Sequence, residues 1–314
     1  MEKIETRGVV ITGASSGIGR ASASRLIHAG WRIFATVRKS RDGEKLQSEF
    51  GVNLTPVIMD VTDRVSVLAA AGKLSSELAG HGLDGLVNVA GIGMVRPIEY
   101  ATPSDLQEIF DINVFGQIAV TQALLPLLRK ARGRIVNITS VGVHIPIPFG
   151  ALLNASKAAF GMFSDTLRLE LRPFGIRVCT VEPGAIRTPA VEKTLGNIEG
   201  VISSLPADGA ASYGDMMRHF VARGYPREMN GSPPDVVARA VHDALTSRRP
   251  KTRYVVGKHA RILSTLPRLL PDPILDALLL RIAGMPTKMG AAISDDQRHF
   301  HKRAAWRSPD GLMR

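Results

Sequence analysis

The sequence predicts an α/β protein, a single domain built on a doubly wound parallel sheet with helices on both faces. Two observations predict it. Short apolar runs alternate with helical patterns over the first 190 residues, and that alternation calls for parallel strands joined by crossover helices. A glycine-bearing turn, Gly13-Ala-Ser15-Ser16-Gly17-Ile18-Gly19, lies between the first apolar run and the first helical stretch. Glycine is needed where backbone turns sharply and comes close to a phosphate.

The elements follow in order. The apolar run 8–12 is the first strand, and 17–30 is a helix stopped by Gly30. Residues 31–37, a short 57–59 and 85–89 are strands two to four. A long helical pattern fills 104–130, with Thr102 or Ser104 able to cap it. Strand five is 134–139, helix 154–172 is closed by Pro173 and Gly175, and strand six is 176–181. After Pro189 the pattern loosens. Residues 190–232 scatter Gly and Pro among Tyr213, Met216, Met217, Phe220 and Tyr225, and read as a mobile cover over a pocket. A helix at 234–247 and a last strand at 253–256 complete a domain spanning 1–260. The rest, 261–314, is a basic extension whose leucines keep helical spacing from 262 to 282, broken by Pro267, Pro271 and Pro273.

Composition narrows the class. The chain has 314 residues, 45% of them hydrophobic, enough for one sizeable core and too many for disorder. Its apolar runs break within about ten residues, short of the roughly 20 that span a bilayer. The opening MEKIETRGVVITG runs directly into a strand, with no secretory pattern. The one cysteine, Cys179, lies in the apolar run IRVCTVEPG, as an inert buried thiol would. These features lead to the expectation of a cytoplasmic protein. The net charge is +12, and 248–314 holds 14 Lys and Arg against 5 Asp and Glu. That stretch has no aromatic interleaving and no nucleic-acid motif, so nucleic acid is not an expected partner. A solvated basic surface is the first reading, and peripheral membrane contact through 261–314 the second. No cluster of His, Cys and carboxylates suggests a metal.

The segment VVITGASSGIGRA both follows a strand and opens a helix, the setting a dinucleotide pyrophosphate requires. Its spacing G-x-x-x-G-x-G, preceded by Thr12, resembles that of the short-chain dehydrogenase/reductase family, whose sheet is of the Rossmann type. Further segments resemble the family in its own order, over roughly residues 7 to 260. Asp60 and Val61 follow strand three, where the family contacts adenine. Asn88-Val-Ala90-Gly91 follows strand four, with Val89 a mild departure. Asn113 lies in the long helix, Ser140 ends strand five, and Pro183-Gly184-Ala-Ile186-Arg-Thr188 follows strand six, where the family holds the nicotinamide amide. At the end of strand two, where NAD-using relatives carry an acidic residue, stand Arg38 and Lys39. A guanidinium can take a 2′-phosphate through paired charge-assisted bonds, with Ser15 and Ser16 as further donors. The expected cofactor is NADP(H); the alternative for Arg38 is a solvated surface charge.

The resemblance implies a serine, a tyrosine and a lysine as the family's reacting groups, with a supporting asparagine. Ser140, Lys157 and Asn113 match. The tyrosine does not. Four residues before Lys157 and 13 after Ser140 stands Leu153, and no tyrosine occurs between Tyr100 and Tyr213. A positioned general acid contributes about 10²–10⁴ in rate, and leucine has no proton to give. His144, Tyr213, Tyr225 or a water held by Ser140 and Lys157 are the candidate substitutes. The apolar run SVGVHIPIPFGALL and the cover suggest a hydrophobic pocket. The chain resembles most the family members that act on such substrates, the hydroxysteroid and retinol dehydrogenases. By the same resemblance, helices 104–130 and 154–172 would pair in a homodimer or homotetramer. Three functions follow: an NADP(H)-dependent oxidoreductase of an apolar carbonyl or alcohol, a non-catalytic NADP(H)-binding protein, or an enzyme that reuses the pocket for a cyclisation or elimination.

Overall fold

The computed structural model describes residues 7–285. Seven strands form one sheet: β1 Gly8–Ile11, β2 Arg32–Val37, β3 Leu54–Ile58, β4 Gly85–Asn88, β5 Arg134–Ile138, β6 Arg177–Pro183 and β7 Arg253–Val256. Their order is β3-β2-β1-β4-β5-β6-β7, and every pairing is parallel. The chain therefore reverses its direction of travel across the sheet between β1 and β4. In open parallel sheets the crevice at such a reversal, beyond the strands' carboxyl ends, is the ligand site.

Strand alternation divides the core in two. Val9, Ile11, Ile33, Ala35, Val136 and Ile138 face one side. They pack on α1 Gly17–His28, on Leu46 of α2 Ser40–Phe50, and on α10 Asp235–Thr246. Val10, Phe34, Leu86 and Ile135 face the other, against α3 Arg64–Glu77 and α5 Gly116–Ala131. The remaining helices are α4 Pro103–Phe110, α6 Ala151–Leu171, α7 Pro189–Leu195, α8 Ile198–Ser203, α9 Ala207–Met229, α11 Ala260–Leu269 and α12 Asp272–Ala283. A third apolar cluster, separate from both, joins Val95 and Phe149 to Ile202, Leu205 and Met217 of the cover.

Four elements differ from the sequence expectation. The cover is helical: α7, α8 and α9 replace the loosened pattern, because α9 buries Gly214, Met217 and Val221 on one stripe, with Met217 in one cluster with Val95 and Phe149. The expected helix 104–130 is interrupted by a π-turn at Asp111–Phe115, a break typical of functional sites. It opens at Thr102, whose hydroxyl and Asp105 form a reciprocal capping pair. Helices α2 and α3 lie outside the elements that the sequence pattern marks: α2 is mostly polar, with only Gly43 and Leu46 buried, and the α3 stripe Val67, Ala70 and Leu74 is diluted by Ala69, Ala71 and Gly72. Pro271 separates α11 from α12, whereas Pro267 lies inside α11 and Pro273 in the first turn of α12. The part of the basic extension from 286 to 314, and residues 1–6, lie outside the described residues.

The stretch Pro103–Ala131 is long and apolar enough to cross a membrane by length and composition, with an 18-residue window of mean hydropathy 1.2. Here Ile109, Val114, Val120, Leu124 and Leu128 are buried, and the last three residues of that set form part of the sheet's second core face.

Candidate active site

The cradle begins with backbone. Gly13 and Gly17 sit at φ 63° and 53°, conformations that side chains other than glycine resist. A Cβ on Gly13 would come within 2.9 Å of the Ala90 Cα, so the turn after β1 lies directly against the loop after β4. Thr12 fixes that contact: its hydroxyl accepts the N–H groups of Val89 (2.8 Å) and Ala90 (3.0 Å) and donates to Gln117 Oε1 at 3.2 Å. Gln117 in turn donates to the carbonyls of Ala90 and Ile112. Gln117 escaped the sequence reading; a polar residue at 1% exposure inside an apolar helix is the signal that marks it, and burial is a tertiary fact.

No side chain caps the start of α1 after Ser16, so its first-turn N–H groups and positive dipole end stay available to an anion. Ser15, Ser16, Gly17, Arg20 and Lys45 line a groove of about 670 Å³ between α1 and α2. Ile18 packs its side chain on the core beneath. Arg38 and Lys39 stand exposed where β2 meets α2. Asp60 accepts from the Thr62 N–H and hydroxyl, and these bonds, with Arg38 nearby, hold its carboxyl below the ordinary range. Val61 is buried in the second core. On the far side, the loop from Pro183 to Thr188 returns to the turn: Thr188 lies 3.3 Å from where a Gly17 Cβ would stand. Gly184 donates to Val256, and Ile186 packs into the core beside β6. The uncapped helix end and a turn that tolerates no Cβ fit a dinucleotide pyrophosphate.

Asn88 takes a different part from the one expected. It is 1% exposed and its amide donates to Thr121 Oγ1 (3.0 Å) and Asn137 Oδ1 (2.9 Å), with Asn137 passing on to Ser164. It ties β4 to β5 rather than facing the crevice. Asn113, in the π-turn, is a clamp. Its Oδ1 accepts the Ile92 N–H and its Nδ2 donates to the Ile92 carbonyl and to Ser156 Oγ, joining the loop after β4 to α6.

Ser140 caps a short turn, Val141–Val143, its Oγ accepting the Gly142 N–H at 3.0 Å. That bond occupies a lone pair and leaves the hydroxyl proton to donate. Leu153 and Lys157 lie one turn apart on α6, hence on one face. Lys157 Nζ donates to the Ile138 carbonyl at 3.0 Å. A Cβ on Gly91 would meet Nζ at 3.3 Å and Asn113 Oδ1 at 3.0 Å. The ammonium therefore lies between the carboxyl ends of β4 and β5, and desolvation pushes it down to about 8.

The expected substitutes for a tyrosine are engaged elsewhere. His144 Nε2 bonds the fully buried Glu182 at 2.8 Å, and the ring lines a crevice with Asn154, Ala155 and Ala158, a different face of α6 from Leu153 and Lys157. Glu182 also holds Arg253, which reaches Asp165. Tyr213 donates to Glu99, and burial with that bond pushes it up to about 12. Tyr225 donates to Glu192.

A parallel sheet with a dinucleotide cradle at its reversal, beside a serine, a lysine and a clamped asparagine, defines a nucleotide-dependent enzyme scaffold. The short chain dehydrogenase profile matches residues 7–198. Retinol dehydrogenase 5 of Homo sapiens is 38% identical over 289 residues, covering 89% of this chain and 90% of the relative. The 17-beta-hydroxysteroid dehydrogenase type 6 of Rattus norvegicus is 35% identical over 280 residues, covering 86% and 87%. Among solved structures, a short chain dehydrogenase from Burkholderia cenocepacia J2315 in complex with NADP is 25% identical with a TM-score of 0.67, covering 88% of this chain and 99% of that one. The chain belongs to the short-chain dehydrogenase/reductase family of oxidoreductases.

Proposed function

We propose that the protein is an NADP(H)-dependent oxidoreductase acting on the carbonyl or alcohol of an apolar substrate, with Leu153 standing where the family's tyrosine would. The observation that carries this reading is the meeting of Ser140, Lys157 and the Asn113-clamped loop at the mouth of the dinucleotide cradle. Exposed Arg38 and Lys39, at the end of β2, favour the 2′-phosphate of NADP(H). The names of the relatives point to retinoid or steroid chemistry, and the cover agrees. Phe149, Met217, Tyr213 and Phe220 form one apolar cluster, with edge-on ring contacts between Phe149 and both Tyr213 and Phe220.

When bound, the cofactor supplies or accepts a hydride. The chain's residues do the rest. The α1 N-terminus and the glycine turn would hold the pyrophosphate, Lys157 would hold the nicotinamide ribose, and the Ser140 hydroxyl would donate a hydrogen bond to the substrate oxygen. Asn113 keeps the loop after β4 in place, and the cover excludes water. Phe115, Met162, Phe163 and Leu169, between 48% and 67% exposed on the π-turn and α6, suit a homodimer or homotetramer. A plainly cytoplasmic location leaves one surface unaccounted for. Ile262 and Leu269 of α11 and Ile274 of α12 are exposed apolar side chains, with Arg261 and Arg268 also on α11. We read this face as one that can touch a membrane surface, the peripheral contact expected of the basic extension.

The test measures NADPH and NADH oxidation with all-trans-retinaldehyde and a steroid ketone, for the native protein and for Leu153→Tyr. The expected result is slow native turnover with NADPH in preference to NADH, accelerated about 10²–10⁴-fold by the tyrosine. Tight NADPH binding without oxidation by either protein would show a non-catalytic binder or a non-redox enzyme instead, a reading that Leu153 itself favours.

A further inference from the structure

With leucine at position 153, the site needs another source for the proton that a reduced carbonyl oxygen must gain. We propose that Lys157 is the general acid of this site, its ammonium giving the substrate oxygen its proton directly or through one water over Leu153. This rests on the oxidoreductase reading above.

Four observations carry it. Leu153 and Lys157 share one face of α6, a turn apart, so the ammonium stem rises beside the place where a phenol would stand. Nζ is anchored to the carbonyl of Ile138, the last residue of β5, and Ser140 follows two residues later at the cap of the next turn, so acid and hydroxyl donor both lie at the end of β5. Among the described residues no salt bridge involves Lys157. One of its three N–H donors is used by Ile138, and two remain for the ribose and for a water or substrate. Finally, the other titratable candidates are tied down: His144 by Glu182 on another face, Tyr213 by Glu99, Tyr225 by Glu192.

The chemistry agrees with the placement. An exposed lysine titrates near 10.4, too weak an acid to release a proton readily at neutral pH. Desolvation brings Lys157 down to about 8, the range in which a general acid is both mostly protonated and willing to donate. In the reductive direction the carbonyl carbon takes a hydride from the reduced nicotinamide, and the π electrons of the C=O bond move onto oxygen. That oxygen takes a proton from Nζ, which is left as a neutral amine and regains its proton from water. Oxidation runs the same transfers backwards, with the neutral amine as base.

Lys157→Arg tests the assignment, because a guanidinium can still bond the ribose yet does not release a proton in this range. With retinaldehyde and NADPH, the native kcat is expected to be level below pH 7 and to fall above about 8. The arginine protein should bind NADPH within about tenfold of native, lose kcat by about 100-fold or more, and show no such limb. A second measurement needs neither cofactor nor substrate: dinitrofluorobenzene labelling of the unloaded protein across pH, read by peptide mass spectrometry. Lys157 should label with a midpoint of about 8, well below the surface lysines. A labelling midpoint near 10, or an arginine protein that keeps the native kcat and pH profile, would overturn the assignment while leaving the oxidoreductase reading in place. Absence of turnover in both the native and Leu153→Tyr proteins rejects both together.

Discussion

On the sheet side of the crevice, Thr12, Gln117, Asn88 and Asn137 are at most 1% exposed, and their hydrogen bonds run between neighbouring strands and helices. On the cover side, the bonds lie at the surface: Tyr100 to Asp208, Tyr213 to Glu99 and Arg218 to Glu199. Beneath them is an apolar cluster that belongs to neither face of the sheet. Buried bonds between fixed elements cost the full desolvation of the group when one partner is lost, whereas exposed pairs are typically worth under about 1 kcal/mol. The cradle is thus held by bonds that are costly to break, and the cover by bonds that are not.

That contrast can be broken first at the turn. Gly13→Val places a branched side chain at φ 63° and 2.9 Å from the Ala90 backbone. We expect a loss of about 3 kcal/mol or more in urea unfolding and no measurable NADPH binding by fluorescence titration. The next effect, at Lys157, runs the other way. Its folded-state value of about 8 lies below the ordinary 10.5, so folding disfavours the ammonium. Below about 8 the penalty is complete; above 10.5 both states are neutral and it vanishes. Lys157→Met should therefore stabilise the protein at pH 7, by up to about 3 kcal/mol, and the gain over native should shrink as pH rises from 8 to 10.5. Equal thermal shifts at pH 7 and 10.5 would contradict it. The smallest effect belongs to the cover. Tyr213→Phe removes the Glu99 bond and should cost under about 1 kcal/mol, leave NADPH affinity unchanged, and alter KM for an apolar substrate more than kcat.

The placement of much of the candidate site was legible in the sequence, for a physical reason. The glycine turn, Ser140, Leu153 and Lys157 are local features: a turn's φ values, a strand end, a four-residue helical spacing. Chain order and chemistry specify each of them. The apolar runs likewise marked all seven strands, within three residues at most ends, because a parallel strand is buried on both faces. The sequence pattern does not mark α2, which is mostly polar with only Gly43 and Leu46 buried, or α3, where small residues blur the stripe, and the cover's Gly and Pro suggest irregular chain.

What only the tertiary structure decided were the meetings between distant segments. Gln117 beneath Thr12, separated by 105 residues, and Glu182 holding His144, separated by 38, are set by which elements the sheet order brings together. The sequence alone established which groups the chain possesses and which it lacks, a tyrosine before Lys157 above all. Packing then determined the surroundings of those groups: desolvation holds the lysine below its ordinary range, and His144 is bonded to buried Glu182.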